Sequence, residues 1–422
     1  MNDHETAGGS GLRMAPFPRD WRRLAAALGP GLVVMLADTE AGSVIAASQS
    51  GAIWGYRMLL LQFLLVPVLF LAQDLALRLG VTTGKGVGAL IEQRLGRGWA
   101  RLAASMLVVS CLGALLTQMS GLAGVGQLFG VPAWATIAVA VAGIFTMVCT
   151  GSYHAVERIA LVLGAAELAF LVVAWRAHPD PGRIAAQLAQ QPLRDSGYLY
   201  LLAANLGTCV MPWMIFYHQS AVIEKGLTLA DLRLARLDTL LGAIVCQTVT
   251  AAVLVAAAAT LGAQGRGDAL HSVSQIAGAF GAVLGTTTGE VVFAVGLTGG
   301  ALVATIVVCL AAARVLGEVT GFDHSLELHP FDAPWFYGSF GVILAAGGAV
   351  VASGIDLVRL SIGAGVVNAV LLPLVLLFLW RLARKAPPPS LRLRGAAAVG
   401  VGAVFVASAG FGLYAAVMGV LG

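Results

Sequence analysis

The sequence predicts an all-α polytopic membrane protein with about eleven transmembrane helices. Of its 422 residues, 59% are hydrophobic and only 11% are charged, whereas a soluble domain carries about 25% charged residues. The mean hydropathy of +0.88 and the 53 glycines are typical of helices that pack closely in lipid, where small residues let backbones approach. The net charge of +4 gives no reason to expect nucleic-acid binding.

Apolar stretches long enough to cross a bilayer as helices recur along the whole chain. In order, they are 28–51, 56–78, 102–129, 131–150, 156–176, 197–221, 237–262, 290–314, 334–353, 357–380 and 395–420. Grouped by position, they predict a first five-helix repeat at 28–176, a second at 197–381 and one extra C-terminal transmembrane helix at 395–422.

Polar segments separate these groups. They are a cytoplasmic N-terminal tail at 1–27, an external loop at 177–196 and a cytoplasmic linker at 382–394. A further segment between the seventh and eighth stretches is amphipathic, and we expect it to lie along the outer membrane interface. Its apolar residues are Leu270, Val273, Ile276, Phe280 and Val283.

The distribution of basic residues predicts the orientation of the chain. With the N-terminus inside, 19 of the 25 Lys and Arg residues fall in inner segments. The six in outer segments are Arg57, Arg176, Arg183, Arg194, Arg266 and Arg359. Because basic residues favour the cytoplasmic side, we expect a cytoplasmic N-terminus and an external C-terminus in a bacterial-type inner (plasma) membrane.

Motifs of catalysis are missing from the sequence. The histidines lack zinc-ligand spacing, and neither a phosphate-binding loop nor a nucleophile elbow is present. The five cysteines lie in apolar runs and are predicted to be small buried residues without disulfides. We therefore expect neither an enzyme nor a resident cofactor.

The first apolar stretch contains two carboxylates, Asp38 and Glu40. A charge at the centre of a bilayer costs roughly 2.5–3.5 kcal/mol on insertion scales, so such residues face a cavity, a partner or a bound cation. Small neighbours such as Gly42 let the helix unwind and free carbonyl oxygens as ligands. This segment predicts half of a cation site.

The sixth stretch is interrupted as well. Pro212 removes an intrahelical hydrogen bond, and Gly207 loosens the same region. Interrupted helices one and six, each opening a five-helix half, are typical of transporters with a LeuT-like inverted 5+5 repeat, whose binding site lies at the bilayer midplane.

At these two interruptions the chain resembles the NRAMP family of divalent metal transporters. Gly29-Pro30-Gly31 matches the opening of the family's first helix, and Glu40-Ala41-Gly42-Ser43 is in register with its Asp-Pro-Gly-Asn break. Gly207-Thr208-Cys209-Val210-Met211-Pro212-Trp213 is similar to the family's Gly-Ala-Thr-Val-Met-Pro-His. In its Trp213 and in the extra carboxylate of Asp38, the chain is most similar to the NRAMP-related magnesium transporter branch.

The resemblance implies a set of metal ligands. By position these are Glu40, Ser43, the Thr208 carbonyl and the Met211 sulfur, with Asp38 either binding the ion or ordering water around it. Glu40 and Ser43 depart from the Asp and Asn of the family.

The resemblance also bears on proton coupling. The family's third-helix acids fall on Gly124 and Gln127, and its histidine falls on Trp213. Flux without proton coupling is therefore expected.

Other polar residues in the spans have simpler interpretations. Asp74 is predicted to pair with Arg78 one turn later, and Glu290 lies at a helix start, where the dipole favours an anion. Glu167 is a further acid within a span. The roles of Asn368 and Gln247 stay open, with pathway lining as one of them.

The sequence thus predicts a transporter that carries Mg²⁺, Mn²⁺ or both by alternating access, with the lipid bilayer as its surroundings. It leaves the oligomeric state undefined, and a monomer is compatible with it. One alternative is a secondary transporter for an organic solute, such as an amino acid or amine, on the same scaffold. Another is a degenerate family member that acts as a metal sensor or partner-binding subunit.

Overall fold

The computed structural model describes residues 29–149, 162–262, 270–320, 334–354 and 356–421. Over these ranges the regular secondary structure is helical. Numbered in chain order, the helices of the first half are α1 Pro30–Asp38, α2 Ala41–Trp54, α3 Leu59–Thr83, α4 Val87–Leu95, α5 Arg97–Leu128, α6 Ala133–Val148, α7 Val162–Arg176 and α8 Pro181–Leu188. Those of the second half are α9 Ser196–Cys209, α10 Pro212–Glu224, α11 Leu232–Thr260, α12 Val273–Leu284, α13 Thr286–Thr320, α14 Pro334–Ala352, α15 Leu357–Lys385 and α16 Gly395–Leu421.

The helices agree with the predicted transmembrane stretches. In the described ranges eight spans are long and apolar enough to cross a membrane, or up to ten if each of two bent helix pairs is one span. The pairs are α1 with α2, bent by 47°, and α7 with α8, bent by 103°. The 16-residue α6 lies at the remaining stretch. Each of the eleven predicted stretches therefore contains a helix, and the polytopic all-α architecture is confirmed.

The interrupted helices lie at the centre of the bundle. Most residues of α1, α2, α9 and α10 are buried. Helix α11 packs against α1, α2 and α3, whereas α15 packs against α9, α2 and α5. The extra helix α16 packs on α9 and α15 and leaves most of its surface outward. Polar groups at the interruptions are thus surrounded by helices rather than by lipid.

Helix α12 lies in the segment predicted to run along the outer membrane interface. Its apolar residues Val273, Ile276 and Phe280 are buried against the protein, and the Phe280 ring lies 5.0 Å from the Phe293 ring of α13. The amide of Leu270 just before it donates to Gln49 Oε1 of α2 at 2.8 Å. The apolar face of α12 therefore packs on the bundle, and its position along the outer membrane interface stays a prediction.

The segment predicted as an external loop contains α8. Gln187 Oε1 of α8 accepts a hydrogen bond from the Tyr56 amide at 2.7 Å, and Gln191 Nε2 donates to the Arg57 carbonyl at 2.9 Å. These contacts attach the segment to the turn between α2 and α3.

Ion pairs join the helices at one end of the bundle. Asp74 of α3 pairs with Arg78 at 3.0 Å, as predicted, and also with Arg236 of α11 at 2.5 Å. Glu224 at the end of α10 pairs with Arg314 of α13 at 2.6 Å. Both acids are thereby compensated by guanidinium groups, unlike those at the first interruption.

Candidate metal site

The first interruption separates α1 from α2. Helix α1 ends at Asp38, α2 begins at Ala41, and Glu40 between them has extended backbone angles of φ −87° and ψ 175°. The Glu40 side chain does not cap α2. Gln118 Oε1 of α5 accepts from the Ala41 amide at 3.2 Å instead. The carboxylate of Glu40 consequently lies near a helix N-terminus, where the dipole favours negative charge, and its Oε2 has no hydrogen-bond partner.

The second interruption separates α9 from α10. Val210 and Met211 have non-helical angles, and Pro212 opens α10. In a continuous helix the Thr208 carbonyl would accept from the amide four residues later, but that residue is Pro212, which has no N–H. Pro212 therefore frees the Thr208 carbonyl oxygen, which the resemblance to the family implies as a ligand.

Ser43 connects the two interruptions. Its hydroxyl donates to the Asp38 carbonyl at 2.8 Å and lies 3.5 Å from the Thr208 carbonyl oxygen. Three of the predicted site residues thus meet where α2 passes α9. Oxygen atoms from both broken helices are brought to one place.

Met211 is buried at the second interruption and has a neighbour that the sequence did not indicate. Its sulfur accepts a hydrogen bond from the Trp213 indole N–H at 3.2 Å, and Trp213 is itself fully buried. Trp213 therefore contacts one of the predicted metal ligands. It holds the thioether in place and engages part of its electron density.

The two carboxylates are buried, and each has an oxygen without a partner. Asp38 and Glu40 are each 1% exposed. Asp38 Oδ2 accepts from the Cys246 thiol at 3.1 Å, whereas Asp38 Oδ1 and Glu40 Oε2 have no hydrogen-bond partner. The ion pairs found among the described residues all involve other acids. Burying such charge is costly without a compensating cation.

The carboxylate of Glu40 lies on the α5 side of the interruption. A Cβ placed on Gly42 would be 2.6 Å from Glu40 Oε1 and 2.8 Å from the Thr117 methyl group. Within the described ranges, no three His, Cys, Asp or Glu side chains form a metal-binding group. A site here therefore depends on carbonyl, hydroxyl and thioether donors in addition to the carboxylates.

Several polar contacts at the site were not predicted from the sequence. Cys246 of α11, interpreted as a small core residue, contacts Asp38. Its neighbour Gln247 donates to the Cys209 sulfur at 3.0 Å. Asn368 of α15 is buried with its carbonyl oxygen unpaired. The sequence left the roles of Gln247 and Asn368 open, with pathway lining as one of them.

The structure describes the three positions at which the sequence lacks the family's titratable residues. A Cβ on Gly124 would lie 2.3 Å from a Val273 methyl group, so α12 packs where a third-helix acid would need room. Gln127 is exposed, and Trp213 is buried beside Met211. These three positions provide no titratable group.

Two broken helices that meet beside two buried carboxyl groups are the arrangement of a polytopic membrane protein of the LeuT-like inverted-repeat class. Comparison with known proteins agrees. The family described as Nramp, natural resistance-associated macrophage protein-like, matches residues 31–418. The chain belongs to this family and is not an enzyme.

Individual relatives share a low sequence identity with this chain. The chain is 27% identical over 291 residues to the divalent metal cation transporter MntH of Ralstonia nicotianae, which covers 66% of this chain and 65% of that relative's length. The chain thus spans somewhat less than two thirds of this curated relative.

Solved structures share the fold. The manganese transporter of Eremococcus coleocola, in complex with an aromatic bis-isothiourea substituted compound, superposes with a TM-score of 0.72 at 17% identity, covering 95% of this chain and 88% of that one. MhsT in complex with L-phenylalanine gives a TM-score of 0.61 at 15% identity, covering 93% and 97%.

Proposed function

We propose that this protein is a transporter of divalent metal cations that carries Mg²⁺, Mn²⁺ or both by alternating access. One observation carries the proposal. Asp38 and Glu40 are buried at the first interruption, have unpaired oxygens and form no ion pair with a described basic residue. A divalent cation compensates this charge, and an inverted-repeat scaffold would expose the site to each side of the membrane in turn.

The proposed ligands are those of the two interruptions: Glu40, Ser43, the Thr208 carbonyl and Met211, with Asp38 as a direct or water-mediated ligand. Oxygen donors suit Mg²⁺ and Mn²⁺. The Met211 thioether would also tolerate softer metals, but its contact with Trp213 reduces its share in binding. The names of the relatives, which include divalent metal cation transporters, support this substrate class over an organic solute.

Transport without proton coupling is the second part of the proposal. It rests on Gly124, Gln127 and Trp213, which carry no titratable group where the family carries acids and a histidine. Packing of Val273 against Gly124 supports it, because that contact leaves no room for an acid.

The proposed setting is the inner (plasma) membrane of a bacterial-type cell, with the N-terminus in the cytoplasm and the C-terminus outside. This orientation follows from the excess of basic residues in the inner segments. The proposal needs no partner other than the ion and the lipid bilayer.

The test is uptake of Mg²⁺, Mn²⁺ and Ca²⁺ into proteoliposomes, with and without a pH gradient. We expect Mg²⁺ or Mn²⁺ uptake in the wild-type protein, insensitive to the gradient. Uptake of amino acids or amines in place of metal would support the organic-solute alternative. Metal binding without flux would support a sensor or partner-binding role.

A further inference from the structure

An apolar groove runs between α15 and α16 on the lipid-facing surface of the bundle. Its volume is about 580 Å³, and its lining on α16 extends from Ala398 to Leu413, which is about 22 Å of helix at about 1.5 Å per residue. The hydrocarbon of one membrane leaflet is about 15 Å thick. Val399 and Val406, which line the groove, are 72% and 74% exposed. The groove therefore opens away from the core and is long enough for an acyl chain.

One end of the groove is defined by Trp380 of α15 and Ala398 of α16. The Trp380 indole N–H donates to the Ala398 carbonyl at 2.9 Å. A Cβ placed on Gly402 would lie 3.1 Å from Trp380 Nε1, whereas a Cβ placed on Gly410 would meet no atom within 4 Å. Both glycines line the groove. The groove is therefore narrow at Trp380 and open further along α16.

Basic residues surround the narrow end. The segment 381–394 contains five basic residues and no acid. The five are Arg381, Arg384, Lys385, Arg392 and Arg394. The Arg384 guanidinium lies 4.5 Å from the centre of the Trp380 ring, and the Arg394 carbonyl accepts from the Ala398 amide at 3.4 Å. Arg384 and Arg394 thus each lie one helical turn from the contact between Trp380 and Ala398.

Backbone contacts hold this basic cluster, residues 381–394, in a defined shape. The amide of Leu393 donates to the Ala383 carbonyl at 3.1 Å, and the Leu393 side chain is buried. Arg384 and Arg394 stay exposed. The ion pairs found among the described residues involve no basic residue of this cluster. The cluster therefore presents positive charge that no described acid compensates.

Two tryptophans indicate the level of the membrane interface at this end. Trp99 at the start of α5 is 45% exposed, and its ring packs edge-on against Phe378 of α15 with 5.7 Å between ring centres. Trp380 lies two residues further along α15. Tryptophan is enriched where the hydrocarbon meets the head groups. The apolar groove consequently begins at the head-group level, next to the basic cluster.

We propose that an anionic phospholipid binds at this place, with an acyl chain in the groove between α15 and α16 and its phosphate on Arg384 and Arg394. Basic pockets between membrane helices on the cytoplasmic side bind anionic head groups, and the charge distribution of the chain predicts that this end is cytoplasmic. Guanidinium groups match the geometry of phosphate oxygens. A second copy of the chain is a weaker occupant, because a two-fold axis along the membrane normal would bring two identical positive clusters together.

The direct test is native mass spectrometry of the purified full-length protein in detergent, which counts bound lipids. The probes are dioleoyl-phosphatidylglycerol and dioleoyl-phosphatidylcholine, which share their acyl chains and differ in charge. We expect one phosphatidylglycerol to bind at least about tenfold more tightly than phosphatidylcholine. Inorganic phosphate at matched ionic strength should not displace it, because phosphate has no chain to place in the groove.

Variants of the basic cluster test the head-group contact. Arg384→Gln and Arg394→Gln should each weaken phosphatidylglycerol binding by about fivefold, and the double variant by about twentyfold. Arg359→Gln, at the other end of α15 and paired with Asp356, is the matched control and should bind as the wild type does.

Two glycines of α16 test the groove. Gly410→Leu places a side chain in the groove and should weaken binding of phosphatidylglycerol by about fourfold, which corresponds to the burial of about one methylene group. Gly400→Leu is its control, because residue 400 is also exposed with open space at its Cβ but does not line the groove. Thermal unfolding without added lipid shows that each variant is folded.

Equal binding of the two lipids by the wild-type protein would overturn the proposal, and so would an undiminished preference for phosphatidylglycerol in the double variant. Displacement by inorganic phosphate would also overturn it, because the cations alone would then be the site. A protein dimer without bound lipid, lost in Gly410→Leu, would assign the groove to a second copy instead. Binding of phosphatidylglycerol as expected in a protein that carries no metal would leave this site standing and refute only the proposed function.

Discussion

Asp238 of α11 accepts a hydrogen bond at 2.9 Å from the backbone amide of Gly31, a residue 207 positions earlier in the chain. The same carboxylate oxygen accepts from the amides of Gly29 at 3.1 Å and Leu32 at 3.2 Å. These are amides at the start of α1, which have no partner within the helix. Asp238 thus caps the first half of the broken helix from a distant element, and a Cβ on Gly31 would lie 2.7 Å from its carboxylate. This contact explains why a glycine follows Pro30.

Asp238→Ala is expected to lower the free energy of unfolding by about 1–3 kcal/mol, because three amides lose a charged acceptor in a buried place. Thermal unfolding of the purified protein measures the effect. Asp231→Ala at the start of the same helix is the control, with a smaller loss, because its bonds to Thr228 are exposed. Equal stability of the two variants would contradict a structural role for the Asp238 cap.

Glu40→Gln is expected to abolish transport of Mg²⁺ and Mn²⁺. The amide keeps the shape of the side chain but removes the charge that offsets dehydration of a divalent ion, whereas Glu40→Asp keeps the charge and should retain some flux. Uptake into proteoliposomes measures both, with Glu290→Gln as the control for an acid outside the site. Near-normal flux in a folded Glu40→Gln protein would falsify the proposed site.

Pro212→Ala is expected to weaken metal binding by about tenfold, because the new amide can donate to the Thr208 carbonyl and withdraw it from the ion. Stability should change little, because Pro212 is the first residue of α10, a position where neither proline nor alanine breaks an intrahelical hydrogen bond. Isothermal titration with Mn²⁺ measures the affinity. Pro373→Ala, inside α15, is the matched control, and a similar loss there would mean that the effect is not specific to the second interruption.

Metal uptake is expected to proceed without accompanying proton movement, because Gly124, Gln127 and Trp213 cannot exchange protons. A pH-sensitive dye inside the vesicles should stay constant while Mn²⁺ enters. Acidification that rises in proportion to uptake would contradict this expectation and would direct attention to other acids near the pathway.

A reporter fused to the C-terminus is expected to be active only outside the cytoplasm, because an odd number of spans follows a cytoplasmic N-terminus. Alkaline phosphatase, which needs an oxidising compartment, should be active there and a fluorescent protein that folds in the cytoplasm should not. The opposite pattern would show that one predicted stretch does not cross the membrane.

The sequence by itself determined the class of protein and the positions of both interruptions. Long apolar stretches leave few alternatives to membrane helices. The charge of Glu40 and the missing amide hydrogen of Pro212 each disturb the helix within one turn of their own position. Local chemistry of this kind is visible in a linear sequence. The ion pair of Asp74 with Arg78 was predictable for the same reason.

Only the tertiary structure decided which distant groups complete these interruptions. The contacting residues are 130 or more positions apart in the chain: Asp238 and the start of α1, Cys246 and Asp38, Glu167 and Gly300. Viewed alone in the sequence, each of these residue types has an ordinary interpretation. The apolar face of α12 could equally have contacted lipid or protein, because hydropathy does not distinguish the two. Packing of helices from both halves decides such contacts, since it determines which polar groups share one buried space.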